Sequence, residues 1–267
     1  MRAKLLAWAA HLYTALGLVC AGGIAVLVVR GDAAAFRGAF LLMALATFVD
    51  ATDGWLARRA RVEAVLPGFD GRRLDDLIDF QTYTTLPLLL IWRAGLLGPG
   101  TDPWLLVPLV ASAYGFSQAD AKTEDHSFLG FPSYWNIVAA YLYLLRLPPA
   151  WALAIVLVLA VLTFVPVRYL YTTHRGPLST LTNLLGAAWA IAFLAILWEW
   201  DGVPRGCVAV SLLFPAYYMA ASWALSIRRW LRGNGTTKNT TAPPAAVEHD
   251  DDHHEGHEGH EGWPPHA

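Results

Sequence analysis

The sequence predicts an all-α, polytopic integral membrane protein: a bundle of about eight transmembrane helices with both termini in the cytoplasm. Hydrophobic residues make up 56% of the 267 residues and charged residues only 15%, whereas about 25% of the residues in an ordinary soluble domain are charged. The apolar residues are grouped in stretches of roughly 17–25 residues, the length that a helix needs to cross a bilayer. Most of the Lys and Arg residues fall in alternate loops, as expected for cytoplasmic loops.

Eight apolar stretches follow one another along the chain. The first is too long for the hydrophobic region of a signal peptide, and we interpret it as a retained helix. The second ends in acidic residues and the third begins with them, so these two are less uniformly apolar than the others. In order, the stretches lie near residues 4–29, 33–53, 74–97, 103–120, 133–147, 150–170, 180–199 and 203–227.

The basic residues indicate the orientation. An odd number of spans would place the cluster Arg228, Arg229 and Arg232 outside the cell, against the usual distribution of positive charge. We therefore expect an inner-membrane protein in which the loop between the second and third spans is cytoplasmic. Residues 1–232 are predicted to form the transmembrane domain. Residues 233–267, rich in His, Glu and Gly, cannot form a core and are predicted to be a disordered cytoplasmic tail.

Four carboxylates lie at the facing ends of the second and third spans. Asp50 and Asp53 share one helix face, and so do Asp75 and Asp79, because residues three or four apart are neighbours on a helix. Asp76 is rotated about 100° from Asp75 and is left out of the cluster. The segment that joins the two helices is short. They are therefore expected to be antiparallel neighbours whose acidic ends meet at the cytoplasmic membrane surface.

This acidic pattern favours a site for divalent cations. Like charges in a partly dry site disfavour one another's ionisation, and oxygen-rich carboxylate sites are typical of Mg²⁺ or Mn²⁺. Two ions would balance the four charges and could clamp a diphosphate. The small residues Gly54, Ala57 and Gly71 would let a ligand lie against the helix backbone, and Arg58 is placed to meet a phosphate.

Two alternatives do without such a site. Aspartates are common as helix caps, but capping explains one or two of them, not four with glycines beside them. Carboxylates can also line the cation pathway of a transporter. Such transporters usually contain repeated halves, and the sequence has no second copy of the acidic pattern. A divalent-cation transporter is therefore the distant alternative.

The pattern resembles the signature of the CDP-alcohol phosphotransferase family, D-x2-D-G-x2-A-R and then, after a spacer, G-x3-D-x3-D. The matching residues are Asp50, Asp53, Gly54, Ala57, Arg58, Gly71, Asp75 and Asp79. The spacer, residues 59–70, is longer than in most members. Together with residues 120–136 it is similar to a bacterial branch of the family that uses choline. The resemblance covers roughly residues 10–230.

The resemblance implies an enzyme that converts CDP-diacylglycerol and choline into phosphatidylcholine and CMP, using two Mn²⁺ or Mg²⁺ ions. Asp50, Asp53 and Asp75 would be metal ligands, with Asp79 partly involved. Asp79 would also be the general base that takes the proton of the choline hydroxyl group. The residues that border the CDP moiety would be Gly54, Ala57, Arg58 and Gly71. Members of the family are commonly dimers, so a homodimer is expected; the net charge of −2 gives no sign of a nucleic-acid partner.

The acceptor alcohol is less clearly indicated than the donor. A choline site needs aromatic faces, with a carboxylate nearby if possible, although aromatic residues at membrane interfaces usually anchor helices. The candidates are Tyr83, Tyr114, Tyr134, Trp135 and Asn136, with Glu124 and Asp125 as charge partners. Serine, inositol or glycerol 3-phosphate are alternative acceptors. A phosphorylated acceptor would need additional basic residues. His11, in the first span, is expected to be a core histidine with its hydrogen bonds satisfied.

Overall fold

A computed structural model describes residues 1–118, 128–169 and 179–236, and these residues are almost entirely helical. Met1–Arg229 forms one compact unit, and the described residues after Arg229 fall outside it. The elements are α1 (Arg2–Arg30), α2 (Ala33–Ala60), α3 (Val62–Val65), α4 (Gly71–Asp79), a π-helical turn (Phe80–Thr85), α5 (Leu86–Arg93), a 3₁₀ turn (Asp102–Leu105), α6 (Leu106–Ser117), β1 (Phe128–Leu129), α7 (Trp135–Leu145), α8 (Pro149–Leu162), β2 (Arg168–Tyr169), α9 (Ser179–Glu199), α10 (Arg205–Ser211) and α11 (Leu213–Thr236).

Helices α1 and α2 form an antiparallel hairpin with a two-residue link. Gly31 ends α1 in the left-handed conformation, with φ at 72°, and its N–H donates to the carbonyl oxygen of Leu27, as is usual for a C-terminal cap. Asp32 then caps α2 by accepting from the N–H of Ala35 at 2.8 Å. This hydrogen bond holds the pKa of the Asp32 carboxyl group below its ordinary value. The tight link lets the two helices pack along their length.

The helices that carry the aspartates are regular at those positions. α2 continues to Ala60, beyond the apolar stretch that ends near residue 53, because the residues that follow, including Leu56 and Ala57, are good helix formers. α4 begins after Asp70, whose side chain accepts from the N–H of Arg73 at 3.0 Å. Both acidic pairs therefore lie within helical turns and not in the loop.

The third predicted stretch, 74–97, is one continuous helical segment with a wider turn inside it. α4 leads directly into the π-helical turn Phe80–Thr85, and α5 continues to Arg93. Such turns are rare and occur frequently at functional sites. This one begins immediately after Asp79, so it sets the direction of the side chains that follow the acidic cluster.

The sixth predicted stretch, 150–170, is wrong at its C-terminal end. α8 stops at Leu162, and residues Arg168–Tyr169 instead form a short strand paired antiparallel with Phe128–Leu129. Pro166 explains the difference, because a proline disfavours helical geometry in the residue before it and lacks the N–H that a helix needs. The fourth and fifth stretches also contain shorter helices than predicted, α6 and α7.

Four helical segments in the described ranges are long and apolar enough to cross a membrane: Arg2–Arg30, Ala33–Ala60, Thr180–Glu199 and Arg205–Arg228. α7 and α8 are apolar but shorter. Large apolar side chains such as Val19 and Ile191 are about 70% exposed, which is typical of a surface that faces lipid and not water. The protein is therefore a helical membrane protein. The number of eight spans and the side of each terminus stay predictions.

Candidate active site

Two pairs of aspartates on α2 and α4 point towards each other. Asp50 and Asp53 lie one turn apart on α2, and Asp75 and Asp79 lie one turn apart on α4. One carboxylate oxygen from each of Asp50, Asp75 and Asp79 lies within 4.8 Å of the other two, and the three side chains are half-buried. Asp50 thus joins two residues that lie 25 and 29 positions further along the sequence, and the three form one oxygen-rich cluster.

The fourth carboxylate, Asp53, is the most buried of the set, with 6% of its surface exposed. Thr14 Oγ1 donates a hydrogen bond to Asp53 Oδ2 at 2.8 Å, and the carboxyl groups of Asp53 and Asp75 are within hydrogen-bonding reach of each other. Asp76 is exposed, as the helical spacing predicts. Asp53 therefore extends the cluster towards α1, whereas Asp76 does not belong to it.

A small cleft opens beside the four aspartates, and α1 forms one of its walls. A Cβ atom at Gly17 would lie 2.7 Å from Cγ2 of Ile78, so only glycine permits this close approach of α1 to α4. The residues that line the cleft are Thr14, Gly17, Ala46, Val49, Asp50, Asp53, Asp75, Ile78 and Asp79. Thr14 and Gly17 were not among the residues predicted for the site. Their signal was present, because His11, Thr14 and Gly17 recur every three residues on one face of an otherwise apolar helix.

Tyr83 supports the cluster from the π-helical turn. Its hydroxyl group donates to Asp50 Oδ2 at 2.7 Å, and the side chain is 8% exposed. The ring therefore lies beside the carboxylates, where the sequence analysis expected an acceptor-binding residue. Its hydroxyl group is engaged with a carboxylate that is also part of the cluster.

The four residues expected to border a CDP moiety lie next to the acidic cluster on the same helices. Gly54 follows Asp53, and the Arg58 side chain folds back over it, with Nη1 3.3 Å from the position of a Cβ atom at Gly54. Ala57 is half-buried one turn after Asp53, and Gly71 begins α4 one turn before Asp75. At both glycines the space that a Cβ atom would take lies against another side chain, Arg58 at Gly54 and His11 at Gly71.

His11 does not match the expectation of a core histidine with its hydrogen bonds satisfied. The side chain is buried, but its Nε2 atom has no hydrogen-bond partner among the described residues. The ring lies against Phe69, with 4.5 Å between centroids, and a Cβ atom at Gly71 would lie 2.7 Å from its Cε1 atom. The reason is apolar packing: aromatic rings surround the imidazole and leave the nitrogen without a donor or acceptor.

The predicted acceptor residues separate into two groups. Tyr134 lies beside Tyr83, with ring centroids 6.2 Å apart, and Asn136 donates to Thr47 Oγ1 at 3.2 Å. Trp135 is fully buried and donates to Ser112 Oγ at 2.7 Å, whereas Tyr114 packs on Phe164. The structure does not bring these last two rings to the aspartates. Glu124 and Asp125 lie outside the described residues.

The site has the chemistry of a divalent-cation centre next to a substrate cleft. Half-buried carboxylate oxygens that converge in this way suit Mg²⁺ or Mn²⁺, and the same aspartates carry the signature described above. A helical membrane protein with such a cleft has the features of a membrane-bound transferase of the CDP-alcohol phosphotransferase type.

Comparison with known proteins identifies the group more narrowly. The chain is 34% identical over 229 residues to the phosphatidylcholine synthase of Legionella pneumophila, covering 81% of this chain and 87% of that protein. It is 34% identical to the phosphatidylcholine synthase of Pseudomonas aeruginosa, covering 85% of this chain and 94% of the relative. The enzyme of that name from Bradyrhizobium diazoefficiens is 39% identical over 192 residues. No protein-family model matches the chain.

The chain belongs to the phosphatidylcholine synthase family. The aligned regions cover most of this chain and most of each relative, so the membership applies to nearly the whole sequence and not to one motif. The protein is therefore an enzyme, a phosphatidyltransferase of phospholipid biosynthesis.

Proposed function

We propose that the protein transfers the phosphatidyl group from CDP-diacylglycerol to choline and releases CMP. The single observation that carries this proposal is the convergence of Asp50, Asp75 and Asp79 within 4.8 Å, at the positions of the CDP-alcohol phosphotransferase signature. The names of the relatives support phosphatidylcholine as the product. The roles of the individual residues are those that the resemblance to the CDP-alcohol phosphotransferase family implies, and the chemistry of the cluster supports them.

The cluster fits two Mn²⁺ or Mg²⁺ ions. Its donors are carboxylate oxygens, which these hard cations prefer, and four carboxylates this close together need positive charge nearby to stay ionised. Asp50, Asp53, Asp75 and Asp79 would hold the ions. When bound, the ions would neutralise charge on the diphosphate and on the departing CMP.

Asp79 is proposed as the general base. It lies at the C-terminal end of α4, where the π-helical turn with Phe80 and Tyr83 begins, whereas Gly71 lies at the other end of α4. The carboxylate takes the proton of the choline hydroxyl group as the choline oxygen bonds to the phosphorus that carries the diacylglycerol. The bond between that phosphorus and the oxygen of the CMP phosphate breaks, and CMP leaves with the electron pair.

The nucleotide is proposed to lie along the opposite side of the cluster. Gly54, Ala57 and Gly71 are proposed to border the CDP moiety there, with His11 packed against Gly71. Arg58 folds over Gly54, where its guanidinium group can pair with a phosphate oxygen. The acyl chains of CDP-diacylglycerol would remain in the hydrocarbon core of the bilayer, which the apolar helices span.

The proposed topology places this site at the cytoplasmic face of the inner membrane. CMP and choline are soluble in water, and the basic loops adjoining the aspartates favour the cytoplasmic side. Eight spans, a transmembrane domain at 1–232, a tail at 233–267 and a homodimer complete the proposal. The tail beyond Thr236 lies outside the described residues.

An acceptor screen tests the proposed function. Membranes that contain the protein are supplied with CDP-diacylglycerol and Mn²⁺, and labelled choline, serine, inositol or glycerol 3-phosphate is added separately. We expect label to enter lipid only with choline and to be lost in Asp79→Asn. If another alcohol gives labelled lipid, that alcohol is the acceptor in place of choline. If none of the alcohols gives a lipid product, the result contradicts the transferase proposal and favours the cation transporter.

A further inference from the structure

A connected group of aromatic side chains leads away from the acidic cluster. It starts at Tyr83, whose hydroxyl group donates to Asp50, and continues to Tyr134, whose ring centroid is 6.2 Å from that of Tyr83. The hydroxyl groups of Tyr134 and Tyr218 are within hydrogen-bonding reach of each other. The rings of Tyr218 and Tyr169 lie nearly parallel, with 6.2 Å between centroids. The aromatic group therefore adjoins the proposed site of phosphatidyl transfer.

Its members come from elements that are far apart in the sequence. Tyr83 lies in the π-helical turn, Tyr134 immediately precedes α7, Tyr169 lies on β2 and Tyr218 on α11. Trp223, five residues further along α11, donates from Nε1 to the Tyr169 hydroxyl group at 3.3 Å. Tyr169 is fully buried, whereas Tyr134 and Tyr218 are half-buried. The fold thus brings tyrosines from four elements together. Hydrogen bonds hold the Tyr169 and Tyr218 side chains, the former from Trp223 and the latter with Tyr134.

A quaternary ammonium group needs this kind of surface. It has no N–H to donate, so it cannot be recognised by hydrogen bonds, and the faces of aromatic rings provide the attraction instead. In choline only two carbon atoms separate the nitrogen from the hydroxyl group. When that hydroxyl group meets Asp79, the ammonium group must lie among the side chains next to the cluster. Tyr83 contacts Asp50 directly, and Tyr134 is the aromatic side chain packed beside Tyr83.

We propose that Tyr134, Tyr169 and Tyr218 form the subsite for the trimethylammonium group of the acceptor. Tyr134 and Tyr218 present ring faces and hydroxyl oxygens to the cation, and Tyr169 supports the Tyr218 ring, itself oriented by Trp223. Tyr83 donates to Asp50 and packs beside Tyr134, so it joins the subsite to the acidic cluster. The inference rests on the proposed function, because it identifies how the same reaction selects its acceptor.

The test uses Tyr218→Leu and Tyr134→Leu in the full-length protein. Removing one ring is expected to raise the KM for choline about 10-fold, as the loss of a cation–π contact implies, while the KM for CDP-diacylglycerol changes less than about threefold. Tyr218→Phe keeps the ring and should keep most of the affinity. The matched control is Tyr143→Leu, which removes a ring stacked on Trp200 at 5.2 Å on the far side of the core and should leave the KM for choline unchanged.

A neutral analogue separates recognition of the cation from loss of shape. 3,3-Dimethyl-1-butanol has the outline of choline without its charge. The wild-type protein should prefer choline strongly, and the Leu variants should lose about 10-fold of that preference in kcat/KM. Tyr218→Met, which refills the space with a flexible apolar side chain, should behave like Tyr218→Leu and replaces it if Tyr218→Leu does not fold.

The outcomes separate the subsite from the proposed function. Wild-type protein that makes no phosphatidylcholine from choline would refute the proposed function. If the wild type makes phosphatidylcholine and the Leu and Met variants keep the full preference for choline over the neutral alcohol, the tyrosine subsite is refuted. An equal loss of activity with both alcohols would likewise refute it, because the rings would then serve only to hold the fold together.

Discussion

At the residue scale, the direction of each side chain decides whether an aspartate belongs to the acidic cluster. Asp75 and Asp76 are adjacent in the sequence, yet Asp75 joins Asp50 and Asp79 whereas Asp76 is exposed. The difference follows from the rotation of about 100° between consecutive residues of a helix. Neighbouring residues of the same chemical type therefore have different expected roles.

We expect Asp50→Asn and Asp75→Asn each to reduce activity by at least about 100-fold, because even residues that only support metal ligands are worth 10–100-fold. Excess Mn²⁺ should not restore the full rate, since an amide oxygen replaces a charged ligand. Asp76→Asn is the matched control and should remain active. Activity is measured as phosphatidylcholine formed from labelled choline, and near-normal rates in Asp50→Asn would remove the metal-cluster proposal.

Asp79→Asn should stop transfer while leaving the donor substrate bound. Loss of a general base typically lowers the rate by about 10²–10⁴-fold, and the other proposed metal ligands, Asp50, Asp53 and Asp75, are unchanged in this variant. The two readouts are phosphatidylcholine formation and the thermal stabilisation that CDP gives the protein in detergent. If stabilisation by CDP disappears together with activity, Asp79 acts chiefly as a metal ligand.

Gly71→Ala should disturb the start of α4, because the added Cβ atom would lie 2.7 Å from Cε1 of His11. Forcing extra volume into a packed site typically costs about 1–3 kcal/mol. We expect lower thermal stability and weaker stabilisation by CDP, and partial recovery of stability in the double variant with His11→Ala. Gly68→Ala, at a glycine of the same loop with open space around it, is the control. Equal effects of the two alanines would exclude the contact with His11 as the cause.

At the scale of elements, short connections and one irregular turn position the site. Helices α1 and α2 both line the cleft because Gly31 and Asp32 reverse the chain within two residues, so the two helices pack side by side. The π-helical turn follows Asp79 directly and carries Tyr83 to Asp50. An uninterrupted α-helix would orient Tyr83 differently relative to Asp79, because the wider turn changes the rotation per residue.

Asp32→Ala should destabilise the α1–α2 hairpin by about 1 kcal/mol, the usual effect of removing a helix N-cap. The side chain would no longer accept from the N–H of Ala35. Heat denaturation in detergent measures the effect, and Asp32→Asn, which retains an oxygen acceptor, should recover most of the stability. The cap lies at the opposite end of α2 from the aspartates, so the rate per folded molecule should not change. A reduced rate at low temperature would show that the cap also affects the site.

At the scale of the whole molecule, the acidic cluster lies between two helices, α2 and α4, and both contribute carboxylates to it. Asp50 and Asp53 lie on α2, whereas Asp75 and Asp79 lie on α4, and repulsion between these carboxylates opposes their approach. A divalent cation bound to both helices would offset that repulsion. Binding of a divalent cation at the acidic cluster should therefore increase the stability of the fold.

Mn²⁺ should raise the melting temperature of wild-type protein that has been treated with a chelator. A ligand at 100 times its dissociation constant stabilises the folded state by about 2.7 kcal/mol. Asp50→Asn should show much less of this stabilisation, and Asp76→Asn should show all of it. An increase of equal size in all three proteins would indicate that Mn²⁺ acts away from the acidic cluster.

The sequence by itself determined the membrane character, the helical class and the positions of the aspartates. Each of these depends on local composition or on helical spacing. The signature places aspartates three or four residues apart on each of two helices, and the short segment between these helices makes them neighbours. The membership in the phosphatidylcholine synthase family agrees with that resemblance. The end of α8 was predicted wrongly because Pro166 interrupts a stretch whose composition remains apolar.

Only the tertiary structure decided which distant side chains share the site. Thr14 and Gly17 join the cleft through the packing of α1, and Tyr83 reaches Asp50 through a π-helical turn that no apolar pattern predicts. Trp135 and Tyr134 are adjacent in the sequence, yet one is fixed in the core on Ser112 and the other lies beside Tyr83. The physical reason is that packing between helices sets side-chain directions, and these contacts join residues too far apart for local sequence to specify.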